Sequence, residues 1–161
     1  MAKRCVPVTV RWSDMDAFGH VNNVQVLRLL EEVRVHAFED LRDHGGPSLL
    51  ESGVVVARHE VEYLAPLVWR LAPVPTDIWI TAVGGASFEV GYEIYDAVDG
   101  AAGGGGGGPA AGGERTVYVR AATTCVAYDL ATGAARRLSA TEREVLESWT
   151  DEPVPFRRRS R

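Results

Sequence analysis

Cysteine is scarce in this chain: Cys5 and Cys125 are the only two among 161 residues. Two cysteines cannot build a disulfide framework, and no Cys-x-x-Cys pair or Cys/His cluster occurs. Both are read as reduced thiols of a cytoplasmic protein. Histidine is sparse as well. His20, His36, His44 and His59 show no metal-ligand spacing, so no metal is expected, and nothing points to an organic cofactor. Long apolar runs are missing, which argues against a membrane span. The opening Met1–Cys5 has two basic residues but no apolar core behind them, so no signal peptide is expected. Basic charge is not in excess either. The net charge of −5 offers no field for nucleic acid. What the chain does have is 46% hydrophobic residues, enough for one ordinary core. A single domain over 1–161 is expected.

Polar residues concentrate in Asp14-Met15-Asp16-Ala17-Phe18-Gly19-His20-Val21-Asn22-Asn23. Upstream, Val6, Val8, Val10 and Trp12 alternate with Pro7, Thr9 and Arg11, the period of a half-buried strand over about Cys5–Ser13. Downstream, Val26, Leu30, Val33 and Ala37 recur at helical spacing, predicting a helix from about Asn23 to Asp43 stopped by Gly45-Gly46-Pro47. The decapeptide therefore joins a strand to a helix. Asp, Asn and Gly at such a junction also serve as ordinary caps and turns. A helix N-terminus, however, presents unpaired N–H groups that receive an anion or a polarised carbonyl oxygen. A carboxylate beside it points to acyl chemistry.

Further along, strands are predicted over Val54–Tyr63, Thr76–Val83, Ser87–Tyr95 and Thr116–Tyr128, with a proline-punctuated connector Leu64–Pro75. Phe88, Val90, Tyr92 and Ile94 alternate with Ser87, Glu89, Gly91 and Glu93, so one face of that strand is core. Asp99–Gly113, with six glycines from Gly103 to Gly108, reads as a flexible loop. Asp129–Gly133 is turn-like. Ser139-Ala140-Thr141-Glu142 fits a capping box that opens a short helix. The basic end, about 155–161, is expected to fray. One principal helix against about five antiparallel strands is an α+β layout.

Asp-x-Asp-x-x-Gly-His-Val-Asn-Asn (Asp14 to Asn23), followed by Leu27-Arg28-x-x-Glu31-Glu32-x-Arg34, resembles the opening of the 4-hydroxybenzoyl-CoA thioesterase family. These are acyl-CoA thioesterases of hotdog fold, a sheet wrapped around a central helix. Looser similarity runs through Val61–Pro66, Ala86–Phe88 and Tyr128–Gly133. The resemblance implies that Asp16 is the catalytic carboxylate, activating water or attacking the thioester directly. It implies that a backbone N–H at Asn23 stabilises the oxyanion. It implies a homodimer or homotetramer with its sites at subunit interfaces, acting on an acyl-CoA substrate.

The remaining candidates are weighed residue by residue. Gly19 permits a tight turn. His20 either fixes the loop or touches substrate. Asn22 and Asn23 side chains cap the helix or tie the loop, with direct substrate contact as the alternative. Asp14 reads as structural. Arg28 and Glu32 form an i,i+4 ion pair, which is the reading preferred over catalysis by Glu31 or Glu32. Arg58 and His59 are candidates for CoA phosphates, and Ser87 stands where the family often carries a serine. The family commonly has an aromatic at the position of Val26 and aromatics near Leu29 and Leu30; the aliphatic residues here reshape the acyl pocket, which leaves the substrate undetermined. Two other functions compete: hydrolysis of an acyl-carrier-protein thioester, and a non-catalytic acyl-CoA-binding or regulatory module.

Overall fold

Apolar residues at helical spacing on one segment, and at every second residue on several others, set the architecture. The computed structural model describes residues 3–43, 49, 53–96 and 115–157. The expectations for Gly45-Gly46-Pro47, for the glycine-rich segment and for Arg158–Arg161 fall outside these residues. Helix α1 is Asn23–Asp43 and helix α2 is Ala140–Ser148. The strands are β1 (Arg4–Val8), β2 (Val54–Tyr63), β3 (Val74–Val83), β4 (Ser87–Asp96) and β5 (Thr116–Asp129). A two-residue strand, β6 (Ala134–Ala135), pairs with the end of β5.

The sheet order is β1-β3-β4-β5-β2, every neighbour antiparallel. Among the described residues, β1 and β2 are therefore its edges. Val26, Leu29, Leu30, Val33, Ala37 and Phe38 of α1 are all at most 2% exposed. They meet the inner face of the sheet, where Ile78, Phe88, Tyr92, Ile94 and Ala121 are equally buried. Each such side chain withdrawn from water contributes about 1.5–3 kcal/mol. Because the apolar stripe is broad, α1 lies deep against the strands.

The outer face is closed by the segment 152–157. Trp79, Gly91 and Ala122 lie in register across β3, β4 and β5, and Val154 and Phe156 cover them. The Trp79 indole Nε1 donates to the Glu152 carbonyl at 2.8 Å. A methyl group at Gly91 would come within 2.7 Å of the Trp79 ring, so only glycine fits beneath it. Arg120 donates to the Pro155 carbonyl, and the Arg157 N–H donates to the Glu62 carboxylate. Among the residues read as a basic tail, Pro155–Arg157 thus lie along the sheet.

The first strand is shorter than its alternation predicts. β1 ends at Val8, and Trp12–Asp14 form a 3-10 turn. The cause is local: the Asp14 carboxylate accepts the Arg11 N–H at 2.7 Å and draws the chain out of the extended form. Trp12 then points outward, 72% exposed, with its ring edge-on to Trp69. At the other extreme, α1 and β2 match their sequence expectations at both ends.

Candidate active site

Asp16 sits in a hairpin-like turn pinned at both ends. Met15 bridges Val21, the Asp16 N–H donates to the His20 carbonyl at 2.9 Å, and the Gly19 N–H donates to the Asp16 carbonyl at 3.1 Å. Gly19 has φ +79°, a left-handed conformation that glycine adopts without strain. One carboxylate oxygen of Asp16, Oδ1, accepts the Phe18 N–H at 2.8 Å. This bond fixes the side chain within its own turn.

Asp14 has the opposite environment. It is fully buried and accepts the Arg11 N–H, the Arg11 guanidinium and Arg28. Burial alone would raise its pKa; the bonds from the Arg11 backbone and side chain and the charge of Arg28 outweigh this and lower it. Its backbone carbonyl accepts the Asn22 N–H at 2.8 Å. Asp14 therefore clamps the turn to α1. The motif's two carboxylates divide the work, one buried among arginines and one half-buried beside a cavity.

The start of α1 completes the arrangement. Asn22 Oδ1 accepts the Val24 N–H at 2.9 Å, as a helix cap does. The Asn23 N–H has no acceptor among the described residues. Asp16, His20 and Asn23 line one cavity of about 360 Å³, together with Val26, Tyr63 and Leu67. The cavity thus joins a carboxylate, an imidazole and a helix N-terminus with an apolar wall. It offers a base or nucleophile and a donor for developing negative charge in one space.

The other sequence candidates stand apart from this cavity. Gly19 shapes the turn and Asn22 caps the helix. Arg58 on β2 pairs with the exposed Glu60. His59 Nδ1 lies 2.9 Å from the Thr123 hydroxyl. Ser87 begins β4, where its carbonyl accepts the Gly84 N–H in the hairpin from β3. Glu32 pairs with Arg28, in keeping with the ion-pair reading. Among the described residues, no group of three or more His, Cys, Asp or Glu side chains is placed to hold a metal, and no helix is long and apolar enough to cross a membrane.

One neighbour of the site is absent from the sequence candidates. The Tyr63 hydroxyl, at the end of β2, donates to the Asn23 carbonyl at 3.1 Å, and the residue lines the cavity. Partial burial raises its pKa, which keeps it a donor. Its sequence signal is its place in Val61–Pro66, one of the looser segments of family similarity; nothing in that segment alone assigns a role to a phenol.

The Thioesterase-like superfamily profile matches residues 10–157. The chain belongs to this superfamily. As a member it is a thioester hydrolase, and solved structures agree on the hotdog fold. A predicted thioesterase from Bacillus stearothermophilus superposes with TM-score 0.72 at 20% identity, over 94% of this chain and 98% of that one. A 4-hydroxybenzoyl-CoA thioesterase in complex with 4-hydroxybenzoyl-CoA gives 0.70 at 13% identity, over 91% and 99%. A Thermus thermophilus thioesterase in complex with coenzyme A and Zn gives 0.66 at 25% identity, over 92% and 95%. No curated protein sequence matches this member significantly.

Proposed function

We propose that this thioesterase-like protein hydrolyses an acyl-CoA thioester to the free acid and CoA, with Asp16 as the reacting carboxylate. The observation that carries this reading is the shared cavity of Asp16 and the unbonded Asn23 N–H. A thioester carbonyl held there would have its carbon open to attack and its oxygen directed at the helix start. Asp16 either takes a proton from the water that attacks the carbonyl, or itself adds to the carbonyl and expels CoA thiolate to leave a mixed anhydride that water then cleaves. Either way the C–S bond breaks and the departing thiolate takes up a proton. In both routes the Asn23 N–H and the positive end of α1 stabilise the oxyanion. Two solved relatives are bound to CoA or an acyl-CoA, which supports CoA as the carrier. Two free cysteines fit a reducing, cytoplasmic setting.

A thiol-release screen across short, medium, long and aromatic acyl-CoAs tests the activity. Asp16→Asn tests the mechanism: it should fold normally and lose on the order of 10²-fold or more in kcat. A wild-type kcat in that variant would remove Asp16 from the chemistry.

A further inference from the structure

β2 is the open strand of this fold. Six consecutive residues, Val55 to Glu60, are exposed, whereas β3 and β4 bury most of theirs. Pairing with β5 sorts β2 by face. Val54, Val56, His59, Val61 and Tyr63 stand opposite β5 residues that are at most 2% exposed, so they share the inner face. Val55, Arg58, Glu60 and Glu62 share the outer face. Ala57 is the extra residue where the register shifts between Val56 and Arg58. The second edge of β2 bonds no described strand. Tyr63 lines the cavity and is still 50% exposed.

The outer face of β2 carries Arg58, Glu60 and Glu62, one cation and two anions at every second residue. A long open edge accepts another strand. A second copy of β2 related by a two-fold axis perpendicular to the sheet runs antiparallel, sets one residue opposite itself and keeps the two inner faces on one side. The charges select that axis. At Arg58 two guanidiniums would meet. At Glu60 or Glu62 two carboxylates would meet, and at Val61 each Glu60 would face the partner's Glu62. An axis before Arg58 or after Glu62 gives none of the three an opposite charge. At His59, Arg58 faces the partner's Glu60 and Glu60 faces the partner's Arg58. Arg58 and Glu60 also pair within one chain at 3.0 Å, so the four charges alternate around a square. With Ala57 set aside as a bulge, His59 is the midpoint of Val54–Tyr63, and the whole strand is paired. Partial desolvation and the charge of Arg34 lower the His59 pKa, so the two imidazoles meet uncharged at neutral pH.

We propose that two copies of this chain join β2 to β2 antiparallel about an axis at His59, with the partner's Val54 seated against Tyr63 at the rim of the cavity. The family resemblance implies a homodimer; the charge order of β2 fixes its edge and its register. Counting outward from the axis past the bulge, Val56 meets the partner's Val61 and Val54 meets the partner's Tyr63. Each cavity thus gains an apolar rim from the other subunit. That last point rests on the cavity of Asp16 and Asn23 being the acyl site. The charged square stays in water, so it selects the register more than it adds affinity. The apolar pairs carry the burial.

Disulfide trapping in the full-length chain reads the register directly, because a disulfide needs Cβ atoms about 4 Å apart. The background is Cys5→Ser, which removes the exposed thiol and leaves the buried Cys125. His59→Cys should link to its own copy under mild oxidation and run as a covalent dimer. Val61→Cys, whose copies stand about 13 Å apart along the paired strands, should not. Val54→Cys combined with Tyr63→Cys should link across the interface. In light scattering, Arg58→Glu should raise the dimer dissociation constant about tenfold or more, and adding Glu60→Arg should restore it. A link at Val61→Cys in place of His59→Cys overturns the proposal. So does a double reversal that fails to restore pairing, or a monomer at micromolar concentration. If His59→Cys does not fold, the Val54 and Tyr63 link and the charge reversal decide. None of these readouts needs turnover, so absence of thioesterase activity would sink the proposed function and leave the register standing.

Discussion

Asp14 and Tyr63 show how single side chains fix the turn and the helix start that border the cavity. Asp14→Asn removes the charge on which Arg11 and Arg28 converge. Half of Arg11 remains in water, so the loss is moderate for a buried carboxylate, about 2 kcal/mol. Urea unfolding should register it, while kcat of the folded fraction changes little. Tyr63→Phe keeps the ring and deletes one hydrogen bond to the Asn23 carbonyl. If that bond orients the helix start toward the carbonyl oxygen, kcat should fall about tenfold with KM nearly constant. A rise in KM with constant kcat would instead make Tyr63 a substrate contact. The sequence places Asp16 and Asn23 through a local motif, since both lie within one turn of chain. Tyr63 meets Asn23, and Arg34 meets Tyr92, only through the packing of α1 on β2 and β4, and no local pattern announces such meetings.

At the scale of elements, the helices and strands were legible where periodicity was strong. The alternation of β4 and the stripe of α1 are dictated by which side chains must leave water. β1 misleads because Trp12 continues the alternation while the Asp14 carboxylate ends the strand. The capping box of α2 forms in full: Ser139 Oγ accepts the Glu142 N–H, and Glu142 accepts the Ser139 N–H. Ser139→Ala should cost about 1 kcal/mol in thermal or urea unfolding. Glu142 also takes both guanidinium branches of Arg136. The Arg136 bond, aided by the Ser139 N–H and working against burial, lowers the Glu142 pKa. A carboxyl whose folded pKa lies below its unfolded value adds stability above the unfolded value. That stability is lost as pH falls through the folded one. Acid should therefore loosen α2 below the ordinary glutamate range, and Glu142→Gln should flatten that part of the stability–pH curve.

For the whole molecule, the open surfaces lie at β2 and along the flank of α1. Val55 and Val56 on β2 and Val24 and Val35 on α1 are more than a third exposed. β2 is ten residues long and bonds only β5 among the described strands. A long edge of this kind invites a partner strand. The outer face does not, because Val154 and Phe156 already cover Trp79. We therefore expect a second copy along β2 and no stable active monomer. Light scattering that finds an active monomer at micromolar concentration would count decisively against this. How the sheet is sealed by residues 151–157 was not legible in the sequence, since Val154 and Phe156 show no periodicity that names their partner.

The strand order also governs what happens while the chain is being made. β2 is the second strand to leave the ribosome, yet its neighbour β5 is the fifth. Elongation proceeds at about 5–20 residues per second, so β2 spends several seconds with neither edge paired. The covering of Trp79 waits longer still, for Val154 and Phe156. For that interval a valine-rich strand is open to any other nascent chain nearby, and slower translation between Tyr63 and Thr116 lengthens it. Yield in the cell should then depend on synthesis rate and chaperone supply at fixed sequence and fixed equilibrium stability.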